Sequence, residues 1–200
     1  MQKREYSASA VKLLFWFVEF RKVISLLRSG KTIQEIKAIA VNENLFSAAT
    51  AMRSGQIFNT VSARVMSLPN DYYILFEESS LETQKLIALL SVMETDVLFF
   101  DFMNDVYKEK LITGDMQITD ADIRVFFADK QRQSEKVSGW TDETLIRLRR
   151  SYKNYLTEAG LLSRGVGNRK IIKPLVDHKL ARLLSETNQK QVYNILTGTR

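Results

Sequence analysis

Apolar residues recur along this chain mostly at intervals of three and four, which is the spacing of helices that bury one face. Leu13, Leu14, Phe17, Val18, Val23, Ile24 and Leu27 form the first such stripe, and Gly30 stops it. "TIQE" at 32–35 is a capping box that starts a second helix, with Ile33, Ile36 and Ile39 or Ala40 as its apolar stripe. After the polar turn "NENLFSA", a third helix is predicted from about Thr50 to Leu68, with Ile57, Val61, Val65 and Leu68 on one side and Pro69 just beyond its end.

The stretch "LETQKLIALLSVMETDVLFFDFMNDVYKEKL", 81–111, is apolar nearly all round. It predicts two consecutive buried helices with a break near "ETD". Beyond Gly114, Thr119 with Asp122 three residues later predicts another N-terminus. Thr141 predicts a further cap, for a helix that runs to about Ala159 with Gly160 as its left-handed terminus.

The pattern then changes. Leu161–Leu162–Ser163 and Lys170–Ile171–Ile172 are short β-capable runs around "RGVGN", whose Gly165, Gly167 and Asn168 suit a tight loop. Pro174 ends the second run, and "LVDHKLARLLSE" predicts one more helix. The final "TNQKQVYNILTGTR" is polar enough to be expected to fray.

The resulting expectation is an all-α helical bundle with helix-turn-helix elements and a small β-hairpin wing near 161–173. Its segments are an N-terminal helical region at 1–70 with a helix-turn-helix, central buried helices at 71–114, a winged-helix-like region at 115–185 and a tail at 186–200. All are expected within one compact unit. Two prolines and eight glycines among 200 residues agree, because a β-rich chain needs more turns. The early run "LLFWFV" is interrupted by Lys12 and Glu19 and reads as a buried helix start, not a signal peptide or membrane anchor. A soluble, cytoplasmic, monomeric protein is expected.

Charge gives this architecture a function. The net charge is +6, but it is unevenly placed. From Arg147 to Lys173 there are eight basic residues against one acid, Glu158; the rest of the chain holds 21 basic and 22 acidic residues. A one-signed segment of that kind is the footprint of polyanion binding. At 100° per residue, Leu145, Leu148, Tyr152, Tyr155, Leu156 and Ala159 share one side of the long helix. Arg147, Arg150 and Asn154 fall opposite, and Ser151 and Lys153 lie on the flanks. Arginine reads guanine and asparagine reads adenine in the major groove. Arg149 sits nearer the apolar side, where a phosphate contact or a packed stem is expected. Arg164, Arg169, Lys170 and Lys173 would hold backbone beside the hairpin. The helix from Thr50 offers a second candidate contact through Arg53, Gln56, Asn59 and Arg64.

Catalysis has little support. His178 is the sole histidine and has no partner set for a triad. Cysteine is absent, which removes thiolate chemistry, thiolate zinc sites and disulfides. Glu94, Asp96, Asp101 and Asp105 are read as surface or capping acids in preference to a metal site. No Walker loop or dinucleotide fingerprint occurs, so neither cofactor nor metal is expected.

These segments carry a family resemblance. "ETDVLFFDFMNDVYKEKL" (94–111), "ITDADIRVFFADKQRQSEKVSGWTDETLIRLRRSYKNYLTEAGLL" (118–162) and "RKIIKPL" (169–175) resemble the BrxA family of BREX phage-resistance systems. A looser likeness runs through "YSASAVKLLFWFVEFRKVISLLRSGKTIQEIKAIAVNENLF" (6–46). The resemblance implies a helical protein with helix-turn-helix elements that binds double-stranded DNA beside a BREX methyltransferase and ATPase partners, with no catalytic role of its own. The region around Gly55 and the tail after Glu186 depart from the pattern. An RNA-binding module of antitermination-factor type and a protein-docking subunit remain as alternatives, with a metal-dependent nuclease last.

Overall fold

The computed structural model describes residues 5–200, so the basic start of the chain, 1–4, lies outside the described residues. The chain divides into two compact units. One is continuous, Trp16–Thr95, and the other joins the residues up to Phe15 with Asp96–Arg200. The apolar 71–114 stretch is therefore divided between the two.

The continuous unit holds α1 (Phe17–Arg28), α2 (Ile33–Asn42), α3 (Ala51–Met66), α4 (Asp71–Glu78) and α5 (Leu81–Thr95). Helix α1 starts four residues later than its stripe predicts. Trp16 takes a left-handed conformation with φ of 53°, which no helix continues through. The expected capping box at Thr32 and Glu35 forms in full at the head of α2. Between α2 and α3, Asn44 bends the chain by accepting from the Ala48 N–H and donating to the Ala48 carbonyl, each at 2.8 Å. Thr50 then caps α3. The Ser54 hydroxyl, fully buried, donates to the Ala40 carbonyl and ties α3 to α2. Helix α5 buries Leu86 through Met93 without a polar face, as an all-round apolar run requires.

The second unit begins with a short 3-10 turn, Ser9–Lys12. It resumes at α6 (Val97–Phe102), capped by Asp96, so the break falls at the expected "ETD". A π-helical segment, Met103–Lys108, leads without interruption into α7 (Glu109–Thr113). Then follow β1 (Gln117–Ile118), α8 (Asp120–Gln133), α9 (Glu135–Ser138), α10 (Asp142–Glu158), β2 (Arg169–Lys170), α11 (His178–Glu186) and α12 (Lys190–Thr197). The core is aromatic. Tyr152 of α10 meets Phe99 edge-on at 5.0 Å and lies 5.3 Å from Phe102 and 5.9 Å from Phe127. Tyr155 donates its hydroxyl to the Leu13 carbonyl at 2.9 Å, which brings the segment before Phe15 into this unit.

The hairpin forms, with one addition. The run 169–172 pairs with Leu161–Ser163 on one edge and with β1 on the other, in register Gln117↔Lys170 and Ile118↔Arg169. Strand β1 has two residues, too few to show alternation in the sequence. The tail also differs from expectation. It forms α12, which buries Val192, Ile195 and Leu196, because its few apolar residues recur at helical spacing.

Candidate nucleic-acid interface

The candidate interface is built around α10. Its N-terminus is set by Thr141, which accepts from the Thr144 amide, and by Asp142 and Glu143 in the first turn. Leu148, Tyr152, Tyr155 and Leu156 fix the buried face. Rotation about the axis then presents Arg147, Arg150 and Asn154 to solvent. Arg147 has only the solvated Glu143 nearby, at 3.9 Å.

Lys153 behaves differently from the expectation that it contacts nucleic acid. It is 6% exposed, and its ammonium donates to Asp120 Oδ1 at 2.5 Å and to the Gly167 carbonyl at 2.7 Å. The flank of α10 that carries it faces the start of α8, where Asp120 waits. The hydrogen bond from Lys153 holds the Asp120 carboxyl below its usual range; partial burial opposes this, and Arg149 and Arg124 add to it. Arg169 is also turned to structural use. Its Nη1 donates to the Thr157 hydroxyl at 2.7 Å and to the Lys153 carbonyl at 3.2 Å. Both cations fasten the hairpin to α10.

What remains outward on the hairpin is Arg164, Lys170 and Lys173. Between α10 and the hairpin runs a groove of about 450 Å³, with Arg149, Arg150 and Asn154 on one wall and Gly165 and Val166 on the other. A second groove of about 420 Å³ lies between α8 and α10, lined by Arg124, Gln131 and Arg149. Arg124 is a cation that the charge count missed, because it lies outside 147–173. Its place on α8, the last long helix before α10, was the available signal.

The second candidate contact is rearranged. Arg64 is 4% exposed, with its guanidinium 5.9 Å from the Trp16 ring, and so it does not face solvent. Arg53 lies over the same ring at 5.4 Å and donates to Gln56 Oε1 at 3.2 Å. The left-handed turn at Trp16 brings the indole within reach of both arginines. Gln56 and Asn59 are exposed, but the outward side of α3 is completed by Met52, Ala63 and Met66 and carries no full charge.

The acids weighed as a metal site have other partners. Asp96 caps α6, and Asp101 and Asp105 receive the Lys130 ammonium at 2.7 and 3.0 Å. Among the described residues no cluster of three or more ligating side chains could hold a metal ion. His178 is exposed at the start of α11, 3.9 Å from Asp177. No described helix is long and apolar enough to cross a membrane.

The BrxA family profile matches residues 4–188. The chain belongs to the BrxA family. A Bacillus cereus (strain H3081.97) protein named BREX protein BrxA is 38% identical over 200 residues, covering 99% of both chains. The fold recurs in the crystal structure of an uncharacterized protein from Magnetospirillum magneticum. That structure aligns with a TM-score of 0.77 at 17% identity, over 98% of this chain and all of the other.

Proposed function

We propose that this BrxA-family chain is a non-enzymatic, double-stranded DNA-binding accessory protein of a bacterial BREX phage-defence system. It works in the cytoplasm as a monomer that meets other BREX components. The observation that carries the reading is that Arg150 and Asn154 of α10 line one groove with the hairpin tip, while Arg147 on the same side of the helix and Arg164, Lys170 and Lys173 of the hairpin segment are exposed. The order β1, α8, α9, α10 and paired strands is that of a winged helix-turn-helix, in which the second long helix enters the major groove. Lys153 and Arg169 support the reading indirectly, by holding the wing at a fixed place on the reading helix.

Five cations of α10 and the hairpin segment are exposed: Arg147, Arg150, Arg164, Lys170 and Lys173. If each neutralises one phosphate, log affinity falls against log salt with a slope of about −4 to −5. The test is a salt-titrated anisotropy assay on a labelled duplex. The double variant Arg147→Glu, Arg150→Glu should bind at least tenfold more weakly at moderate salt. A flat salt response, or equal binding by that variant, would overturn the proposal. Stronger binding to structured RNA would favour the RNA-binding alternative.

One observation favours an added role in protein docking. Leu175 is 95% exposed and Ile172 half-exposed on the segment leaving the wing. Apolar side chains in water suit contact with another component of the complex. Leu175→Asp should weaken co-purification with that component and leave duplex affinity unchanged.

A further inference from the structure

The tip of the wing carries a side chain that the fold does not use. Val166 is 100% exposed, although its neighbours along the hairpin are polar or glycine. It stands between Gly165 and Gly167, with φ values of 141° and 73°, which β-branched residues do not adopt. No atom lies within 4 Å of where a Cβ would sit on either glycine, so crowding does not explain them. The two glycines make a narrow turn with one apolar side chain at its apex. Arg164 precedes it, exposed, and Asn168 follows it.

The tip is also held in place. Lys153 donates to the Gly167 carbonyl, and the Asn168 side chain accepts from the Asp120 amide at 3.4 Å. A mobile solvent loop would need neither bond. A stiffened, narrow, basic turn with an apolar apex fits a specific cavity of DNA. The minor groove is about 6 Å wide, narrower still in A·T tracts, where its negative potential favours arginine. Apolar side chains from other minor-groove binders lodge against base steps there.

We infer that Val166 and Arg164 enter the minor groove beside the major groove occupied by α10, and that the chain prefers duplexes lacking the guanine 2-amino group. This rests on the DNA-binding reading above and adds a second recognition element to it. The 2-amino group of guanine projects into the minor groove and would meet Val166; A·T and inosine·cytosine pairs lack it.

The test uses two duplexes of one sequence, one with guanosine and one with inosine at every G. Their major-groove edges are the same, so α10 sees no difference. Wild-type protein should bind the inosine duplex roughly fivefold more tightly, a size typical of one base-pair discrimination. Val166→Asp and Arg164→Ala should each bring that ratio close to one, whatever their effect on overall affinity. Both side chains are exposed, and an unchanged melting temperature confirms folding. Equal wild-type binding of the two duplexes would overturn this inference and leave the DNA-binding proposal standing. A preference that survives both substitutions would also overturn it. Binding of neither duplex would sink the DNA-binding proposal itself.

Discussion

Lys153 reaches from α10 to Asp120 at the start of α8, with Nζ 2.5 Å from Oδ1 and 2.7 Å from the Gly167 carbonyl. One buried ammonium thus joins both long helices of the motif to the loop that follows them. A residue counted by charge as a phosphate contact acts as the buttress of the surface. Lys153→Met should cost about 2 kcal/mol in urea unfolding, below the 3–5 kcal/mol of a fully buried pair because Asp120 can be rehydrated. It should weaken DNA binding without changing the salt slope. A slope shallower by about 0.9 would instead make Lys153 a phosphate ligand.

The same pair fixes a pH dependence. Asp120 is held below its unfolded value, so the unfolded state binds the proton more readily. Its contribution is present above about pH 4, the usual range of an aspartate, and is lost as pH falls through the lower folded value. Asp120→Asn should therefore flatten the acid limb of the stability profile, measured by thermal melts between about pH 2.5 and 6. An unchanged limb would show that the pair contributes nothing to it.

Arg64 belongs to the core of its unit and not to a contact surface. Arg64→Ala removes one of the two cations over Trp16 and leaves a gap beside the indole, at a cost of about 2 kcal/mol. Duplex affinity of the folded variant should match wild type within twofold. A tenfold loss at equal stability would return α3 to the DNA interface.

Lys130 is the second buried cation of consequence. Burial would depress its pKa, but Asp101 and Asp105 more than offset that and hold it above the ordinary lysine range. Tyr6 donates to the same Asp101 oxygen at 2.6 Å. Lys130→Met leaves two carboxylates facing each other and should cost about 3 kcal/mol. Tyr6→Phe should cost about 1 kcal/mol. A Lys130→Met deficit no larger than that of Tyr6→Phe in urea unfolding would refute this account.

Much of the fold follows from local signals. Thr32, Thr119 and Thr141 each cap the helix that the sequence predicts, since capping depends on a few adjacent atoms. The hairpin was legible from its glycines and flanking apolar pairs. Side-chain direction was less so. Helical angle alone puts Lys153 on a flank, and only the arrival of Asp120 from 33 residues away turns it inward. Arg64 was misjudged for a similar reason, because the left-handed residue at Trp16 supplies the ring that covers it. The tail hid its helix behind polar composition, although Val192, Ile195 and Leu196 keep the helical interval.

Tyr155 grips the backbone at Leu13, and Phe15 sits in the same core. The unit that carries α10 and the hairpin therefore cannot be cut out as one uninterrupted fragment. A piece beginning at residue 96 would open a hole where Ala10 and Phe15 belong and strand a tyrosine hydroxyl. Experiments that isolate this unit should graft the stretch 5–15 onto it through a linker, in the manner of a circular permutant. A recombinant half made without that graft should report weakened folding before it reports anything about nucleic acid.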